Sequence, residues 1–445
     1  MKRNMTEGSV MKNLIFFSLP YLLSCFLQTF YGLADLFITG QFNGSEAITA
    51  VSVGSQLTHM LTVVVVGLAM GATVTLGHSV GADKPEESAR CIGNTVVLFA
   101  GFSFALTLIL LLARSGILGI LKVPEEAISQ TRDYITVCFI GVPCITAYNV
   151  ISSVFRGLGD SRSPMIFVFA AGVINVILDY VLIGPLAMGA FGAALATVIS
   201  QACSVLFALA ALRRMNMGIS LSRRDFVPDK RTMMRILKVG FPIALQDGLI
   251  QISFLVITTI ANSRGVTIAA AVGIVEKIIS FLFLVPSAML STISAIAAQN
   301  DGAGKPERAR AVLRYGLTIC VVYGIIVSVI VQFSADQIVW LFSREDAKTV
   351  YYGGQYFRAY AFDTIFAGIH FCFSGYFCAY RKAILSFIHN IASIILVRIP
   401  GAWLAAVLWP ATLYPMGLAA PLGSLLSALI CIFAFYYYRK KGAFE

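Results

Sequence analysis

The sequence predicts an all-α polytopic membrane protein: twelve transmembrane helices in two parallel six-helix lobes related by pseudo-two-fold symmetry. Three observations carry this. Hydrophobic types make up 58% of the 445 residues and charged types only 12%, with a mean hydropathy of +0.83. Soluble domains carry about 25% charge, so a water-facing surface of this size lacks the charge to cover it. The apolar residues also gather into twelve runs of about 20, the length that crosses a bilayer as a helix. Finally, the two halves of the chain repeat one another.

The runs, in order, are Leu14–Thr39, Ala50–Gly77, Ile92–Ala113, Tyr134–Phe155, Pro164–Ile183 and Gly189–Leu212. A basic linker follows. Then come Val239–Asn262, Thr267–Ala298, Tyr315–Ser334, Ala359–Tyr380, Ala383–Trp409 and Leu413–Tyr438. They are too long and too uniformly apolar for alternating barrel strands, and a helix satisfies its own backbone polar groups. The run from Leu14 is too long for a signal peptide and lacks a small-residue cleavage site, so it reads as a retained helix. Most of the nine cysteines sit inside apolar runs, without a C-x-x-C, and read as small buried residues.

Lys and Arg set the orientation. The N-terminus and alternate turns hold Lys2, Arg3, Lys12, Lys84, Arg90, Arg156, Arg162, Lys305, Arg308, Arg310, Arg314, Arg381, Lys382 and the tail Arg439–Lys441. The linker adds Arg213, Arg214, Arg223, Arg224, Lys230, Arg231, Arg235 and Lys238. That side totals 24 of the 33 basic residues. The other side has seven: Arg114, Lys122, Arg132, Arg264, Arg344, Lys348 and Arg358. The split predicts a multi-pass protein of the cell membrane, inner or plasma, with both termini cytoplasmic. It also accounts for the net charge of +11 without a nucleic-acid partner, since these residues hold topology and meet anionic lipid.

The repeat is visible in the turns. Gly81-Ala82-Asp83-Lys84-Pro85-Glu86 returns as Gly302-Ala303-Gly304-Lys305-Pro306-Glu307, an offset of 221. The same offset aligns Ala47–Val51 with Ile268–Val272, and Pro20 answers Pro242 one residue out. Residues 1–212 are therefore expected to form an N-lobe, 213–238 a cytoplasmic linker and 239–445 a C-lobe. Six spans return the chain to its starting side, so the lobes are parallel; such an architecture predicts a substrate path between lobes that rock.

No nucleotide-binding G-x-x-x-x-G-K-[ST] occurs, and no haem, zinc or iron–sulfur spacing is visible, so neither an enzyme nor a cofactor is expected. Gly157-Leu158-Gly159-Asp160 matches the G-x-G-D of intramembrane proteases, but it reads better as a turn between spans 4 and 5. Transport must then draw on an ion gradient, which needs ionisable groups within the membrane. The N-lobe offers Asp35 and Asp179. Asn175 stands one helical turn from Asp179 on the same face, and Thr197 falls at a comparable depth in span 6. Asp35 is expected higher, in the outer half. Carboxylate, amide oxygen and hydroxyl make a hard-oxygen site for the coupling ion, Na⁺ or, with Asp protonated, H⁺. The C-lobe mixes Asp247, Glu276 and Asp363 with Lys277 and Arg398. That set suits internal ion pairing, or a polar site for substrate or a second cation.

These features resemble the multidrug and toxin extrusion (MATE) family over essentially the whole chain. The likeness rests on twelve spans in two lobes, Pro20 and Asp35 in span 1, Arg156-Gly-Leu-Gly-Asp after span 4, and Gly192-Ala-Ala-Leu-Ala-Thr in span 6. Asp35, Asn175, Asp179 and Thr197 look like the N-lobe cation site of its DinF-like prokaryotic branch. Gln28, Tyr31, Asn149 and Asn175 match positions that line that branch's drug cavity. The resemblance implies export of small amphipathic, often cationic drugs in exchange for Na⁺ or H⁺. One chain already holds a complete pathway, so a monomer in the bilayer is expected to suffice. The NorM-like branch keeps acids in spans 7 and 10; Asp363 fits the second loosely and Asp247 fits the first poorly. Lys277 and Arg398 depart from a cation-loving C-lobe. They keep open one alternative, a lipid-linked oligosaccharide flippase of the same superfamily.

Overall fold

The computed structural model describes residues 5–121, 123–214, 219–344 and 346–444. Lys2, Arg3 and Lys122 of the topology count lie outside the described residues, as do linker positions 215–218 and the side chain of Arg214. The described chain is helical throughout. In the first half, α1 is Val10–Phe42, α2 Ser45–Gly81, α3 Pro85–Leu121, α4 Glu125–Ile140, α5 Val142–Gly157, α6 Arg162–Ile183 and α7 Gly189–Arg214. In the second, α8 is Lys230–Asn262, α9 Val266–Leu282, α10 Leu284–Gly302, α11 Pro306–Trp340, α12 Ala347–Tyr360, α13 Asp363–Ala379, α14 Ala383–Ser393, α15 Ile399–Leu408 and α16 Tyr414–Lys440.

Among the described residues, ten helical stretches are long and apolar enough to cross a membrane, and eleven if α4 and α5 count as one bent span. The expected span Tyr134–Phe155 is that pair, bent by 46° at Gly141. The break has a local cause. Pro143 cannot donate its backbone N–H, and a side chain on Gly141 would run into Val198 of α7. The expected span Ala359–Tyr380 is also divided: α12 ends at Tyr360 and α13 restarts at Asp363. Span 11, Ala383–Trp409, is interrupted by a wide π-turn at Ile394–Arg398. Hydropathy counts apolar residues and is blind to such breaks.

The described residues form two compact units, and their limits differ from the expected ones. One is Leu19–Gly240; the other joins Met5–Ser18 to Phe241 onward. Two straps explain the shift. The Met5, Thr6 and Gly8 carbonyls accept hydrogen bonds from Asn300 Nδ2 (3.2 Å), Lys305 Nζ (3.0 Å) and Arg308 Nη1 (2.9 Å). Leu14 and Phe17 are buried in the same unit. The linker is likewise not free. Asn94 of α3 donates to the Asp225 and Val227 carbonyls and accepts from Asp229 N at 2.6 Å. Glycines then let α8 start directly on α2: a Cβ on Gly71 would fall 2.0 Å from the Ile236 carbonyl, and one on Gly240 2.1 Å from that of Leu68. Helices α1 and α8 each change units beside a proline, Pro20 and Pro242.

Short polar caps define the turns. Asp160 accepts from the Arg162 and Ser163 backbone N–H groups and the Ser163 hydroxyl, which makes Gly157–Asp160 the expected turn. Asp229 and Asp346 cap α8 and α12 through Thr232 and Thr349. In the linker, the Ser222 backbone N–H and hydroxyl hold the Asp225 carboxyl below its usual range.

Candidate functional site

The N-terminal unit brings four of the expected residues together. Asp35 comes from α1, Asn175 and Asp179 from α6, and Thr197 from α7. Helices α6 and α7 are joined by a tight turn in which Ala187 and Gly189 take positive φ. Asn175 and Asp179 are fully buried, and Asp35 is 3% exposed. The side chains that bear on the Asp35 carboxyl are Asp179, Thr197 and Asn175. Thr197 Oγ1 lies 3.4 Å from Asp35 Oδ2, while its firmer bond runs to the Ala193 carbonyl at 3.0 Å.

Asp35 is not set higher than the other three, as the sequence suggested. Helix α1 runs to Phe42, three residues past the expected limit. Asp35 therefore stands seven residues from that end, Asn175 eight from the end of α6, and Thr197 eight from the start of α7. At about 1.5 Å per residue these are equal depths.

What the cluster lacks defines its chemistry. Asp35 Oδ1, both Asp179 oxygens, and both Asn175 side-chain atoms are buried without a hydrogen-bond partner. Buried polar groups are normally paired. Two carboxyls side by side in an apolar interior are costly to keep both charged and alone. The donor set is carboxylate, amide and hydroxyl oxygen, with no thiolate or imidazole.

The expected cargo residues are less uniform. Tyr31 and Gln28 are half-buried on α1. The Tyr31 hydroxyl accepts from Gln201 Nε2 at 3.3 Å, and its ring lies against Gly172 of α6. The Asn149 amide is spent on the Ile145 carbonyl of its own helix. The sequence reading overlooked two neighbours. Gln201 sits one turn beyond Thr197, a signal available from i, i+4 spacing. Tyr134 is buried on α4 within electrostatic reach of Asp35 and Asp179. Nothing in the sequence marks Tyr134; only Gly54 of α2, which leaves room for its ring, betrays the contact.

The C-terminal unit treats its charges differently. Lys277 is exposed and does not join the others. Glu276 accepts from the Thr258 hydroxyl at 3.0 Å, and Asp247 from Gln246 at 3.5 Å. Asp363 is fully buried with neither oxygen partnered. Arg398 Nη2 donates to the Tyr360 hydroxyl at 2.6 Å. Among the described residues, no ion pair within 4.0 Å links any of these acids to Lys277 or Arg398; ion pairs elsewhere include Lys84–Glu87, Glu307–Arg310 and Asp336–Arg358. Direct ion pairs, one of the two expectations, do not form, although Arg398 lies within electrostatic reach of both Asp363 and Glu276.

A family model described as MatE matches residues 20–181 and again 242–404. Each match falls in one half, at nearly the spacing of the sequence repeat. The chain belongs to the MatE family. Its relatives include the "Probable multidrug resistance protein YpnP" of Bacillus subtilis, 29% identical over 98% of this chain and 96% of that protein. The "Multidrug export protein MepA" of Staphylococcus haemolyticus is 25% identical over 83% and 81%. Among solved structures, a "Crystal structure of MATE in complex with MaL6" superposes with a TM-score of 0.91 at 20% identity, covering 99% and 98% of the two chains. This MatE protein is thus a polytopic helical membrane transporter of the multidrug efflux family, with twelve membrane-crossing helices in two lobes.

Proposed function

We propose that this MatE protein is a secondary antiporter of the cell membrane, exporting amphipathic, cationic drugs in exchange for Na⁺ or H⁺. Asp35, Asn175, Asp179 and Thr197 hold the coupling cation. One observation carries the reading: five buried polar atoms of Asp35, Asn175 and Asp179 stand without partners in one cluster. A fold maintains such a cost only where something binds. Na⁺ would take the oxygens directly; a proton would sit between the two carboxyls.

Cargo meets Gln28, Tyr31, Asn149 and Asn175 in the N-lobe. Asn175 belongs to both sets, so cation and cargo compete for it, which is the linkage antiport requires. Cation arrival redirects α1, whose Pro20 leaves one backbone bond of the helix unmade and eases bending. The lobes alternate access as two units, with both termini in the cytoplasm and one chain sufficient.

The test is ethidium efflux from everted vesicles under an imposed Na⁺ gradient and, separately, an imposed pH gradient. Asp179→Asn is expected to abolish gradient-driven efflux while the protein stays folded. Full gradient-driven efflux by that variant would sink the mechanism. Whichever gradient alone drives the parent protein names the ion.

A further inference from the structure

The linker exposes apolar and basic side chains together. Leu221, Phe226 and Val227 are 43%, 39% and 62% exposed. Around them stand Arg223, Arg224, Lys230, Arg231 and Arg235, all exposed. Among the described residues, none of these five engages its side chain in a hydrogen bond or an ion pair. The two acids of the segment are already engaged: the Asp225 carboxylate accepts from Ser222 and that of Asp229 from Thr232. Large apolar side chains left outside the core, ringed by one sign of charge, mark a surface that something covers.

Helix α3 fixes the height of this surface. A Cβ on Gly93 would fall 2.2 Å from the Asp225 carbonyl oxygen, so backbone packs on backbone there. Asn94 then holds the 3₁₀ turn Arg223–Phe226 through the Asp225 and Val227 carbonyls and the Asp229 N–H. Gly93 stands eight residues into α3, about 12 Å from its start. The turns before it carry Glu86, Glu87 and Arg90, whereas Cys91–Ala113 has no charged residue. Three residues beyond Gly93, Val96 already turns outward, 41% exposed. The linker thus crosses α3 where that helix passes from charged to apolar, which is the level of the lipid headgroups.

We propose that the linker is a lipid-anchoring surface: Leu221, Phe226 and Val227 enter the boundary between headgroups and acyl chains, while Arg223, Arg224, Lys230 and Arg231 bind the phosphates of anionic phospholipids. The apolar side chains gain by leaving water, and the basic ones by meeting the negative surface. A free phosphate ion offers the charge without the apolar phase, and a neutral lipid the apolar phase without the net charge; an anionic lipid supplies both. Because Asn94 and Gly93 already hold the turn, little ordering is left to oppose binding. The surface uses no residue of the cation cluster, so the two assignments stand or fall separately.

The experiment compares the full-length protein in nanodiscs of phosphatidylcholine and in nanodiscs of phosphatidylcholine mixed equally with phosphatidylglycerol. Hydrogen exchange at 221–228 is expected to slow about fivefold or more with phosphatidylglycerol, and to recover its speed at high salt. Arg223→Gln combined with Arg224→Gln should remove that difference. Phe226→Ser combined with Val227→Ser should speed exchange in both lipids. Exchange at 95–99 of α3 is the folding control and should stay at the parent rate. Inorganic phosphate added to the phosphatidylcholine nanodiscs must not reproduce the protection; if it does, the ligand is a free anion and the proposal fails. Equal exchange in the two lipids, or a difference that survives the arginine substitutions, overturns it. So does protection that appears in detergent and grows with protein concentration, as a second copy on this surface would give.

Discussion

The two halves of this transporter share a plan and differ in charge. In the N-terminal unit the buried ionisable residues that cluster are two acids, accompanied by an amide and a hydroxyl. In the C-terminal unit an acid shares a cavity with an arginine. The cavity-lining Asp363 has no counterpart at the repeat spacing: 221 residues earlier stands Val142. Duplication therefore supplied the helices, not the chemistry. The N-terminal cluster gathers acids alone, whereas the C-terminal unit sets an acid and a base around one small cavity.

The widest gap between the halves should appear in coupling. Asp179→Asn is expected to reduce gradient-driven ethidium efflux to background, more than about tenfold, whereas Asp363→Asn should keep it within about threefold. Equal losses in vesicle assays would erase the distinction. Packing should behave alike in both halves. Gly71→Ala drives a Cβ into the Ile236 carbonyl, and Gly375→Ala drives one to 2.4 Å from that of Leu290. Each should cost about 1–3 kcal/mol in thermal unfolding of the detergent-solubilised protein. Gly101→Ala, mid-helix in α3 with open space around it, should instead stabilise by about 0.5–1 kcal/mol.

Smaller still is the effect of trimming the cation cluster. Thr197→Ala removes one oxygen and should raise the cation concentration for half-maximal efflux about fivefold, the value of one hydrogen bond; an unchanged requirement would remove Thr197 from the site. The straps give the mildest contrast. Asn94→Ala should speed hydrogen exchange in 222–229 only, and Asn300→Ala in 5–8 only. The linker should resist acid. The Asp225 and Asp229 carboxyls are held below their usual range by Ser222 and Thr232. Their stabilising charge is thus fully present above the unfolded carboxylate range of about 4 and is lost only as pH falls through the lower folded value. Exchange protection at 222–229 should be flat from about pH 7 to 5. A loss within that window would show that something else holds the linker.

Much of this was legible before any coordinates. Apolar runs, the Lys and Arg bias and the Lys-Pro-Glu repeat are written in single residues, because bilayer thickness and the cost of burying charge act locally along the chain. The membership of Asp35, Asn175, Asp179 and Thr197 in one candidate set followed from their being polar where the membrane forbids it. The depth of Asp35 did not, because it depends on where α1 stops, and Phe42 looks no different from the apolar residues before it. Tyr134 stayed hidden for the opposite reason: an aromatic residue in an apolar span is ordinary until a neighbour's missing side chain shows where it points.

The sequence by itself determined that this chain lies in a membrane, in two related halves, with a few expensive polar groups inside. Tertiary structure alone decided which of those groups meet. It placed Asp35 level with Thr197, sent Lys277 to the surface, and kept Arg398 out of a direct ion pair with Asp363. It also assigned Met5–Ser18 to the second unit and the linker to the first. The physical reason is that burial cost is a property of one residue, whereas partnership depends on helix ends, bends and backbone approaches that single residues do not announce.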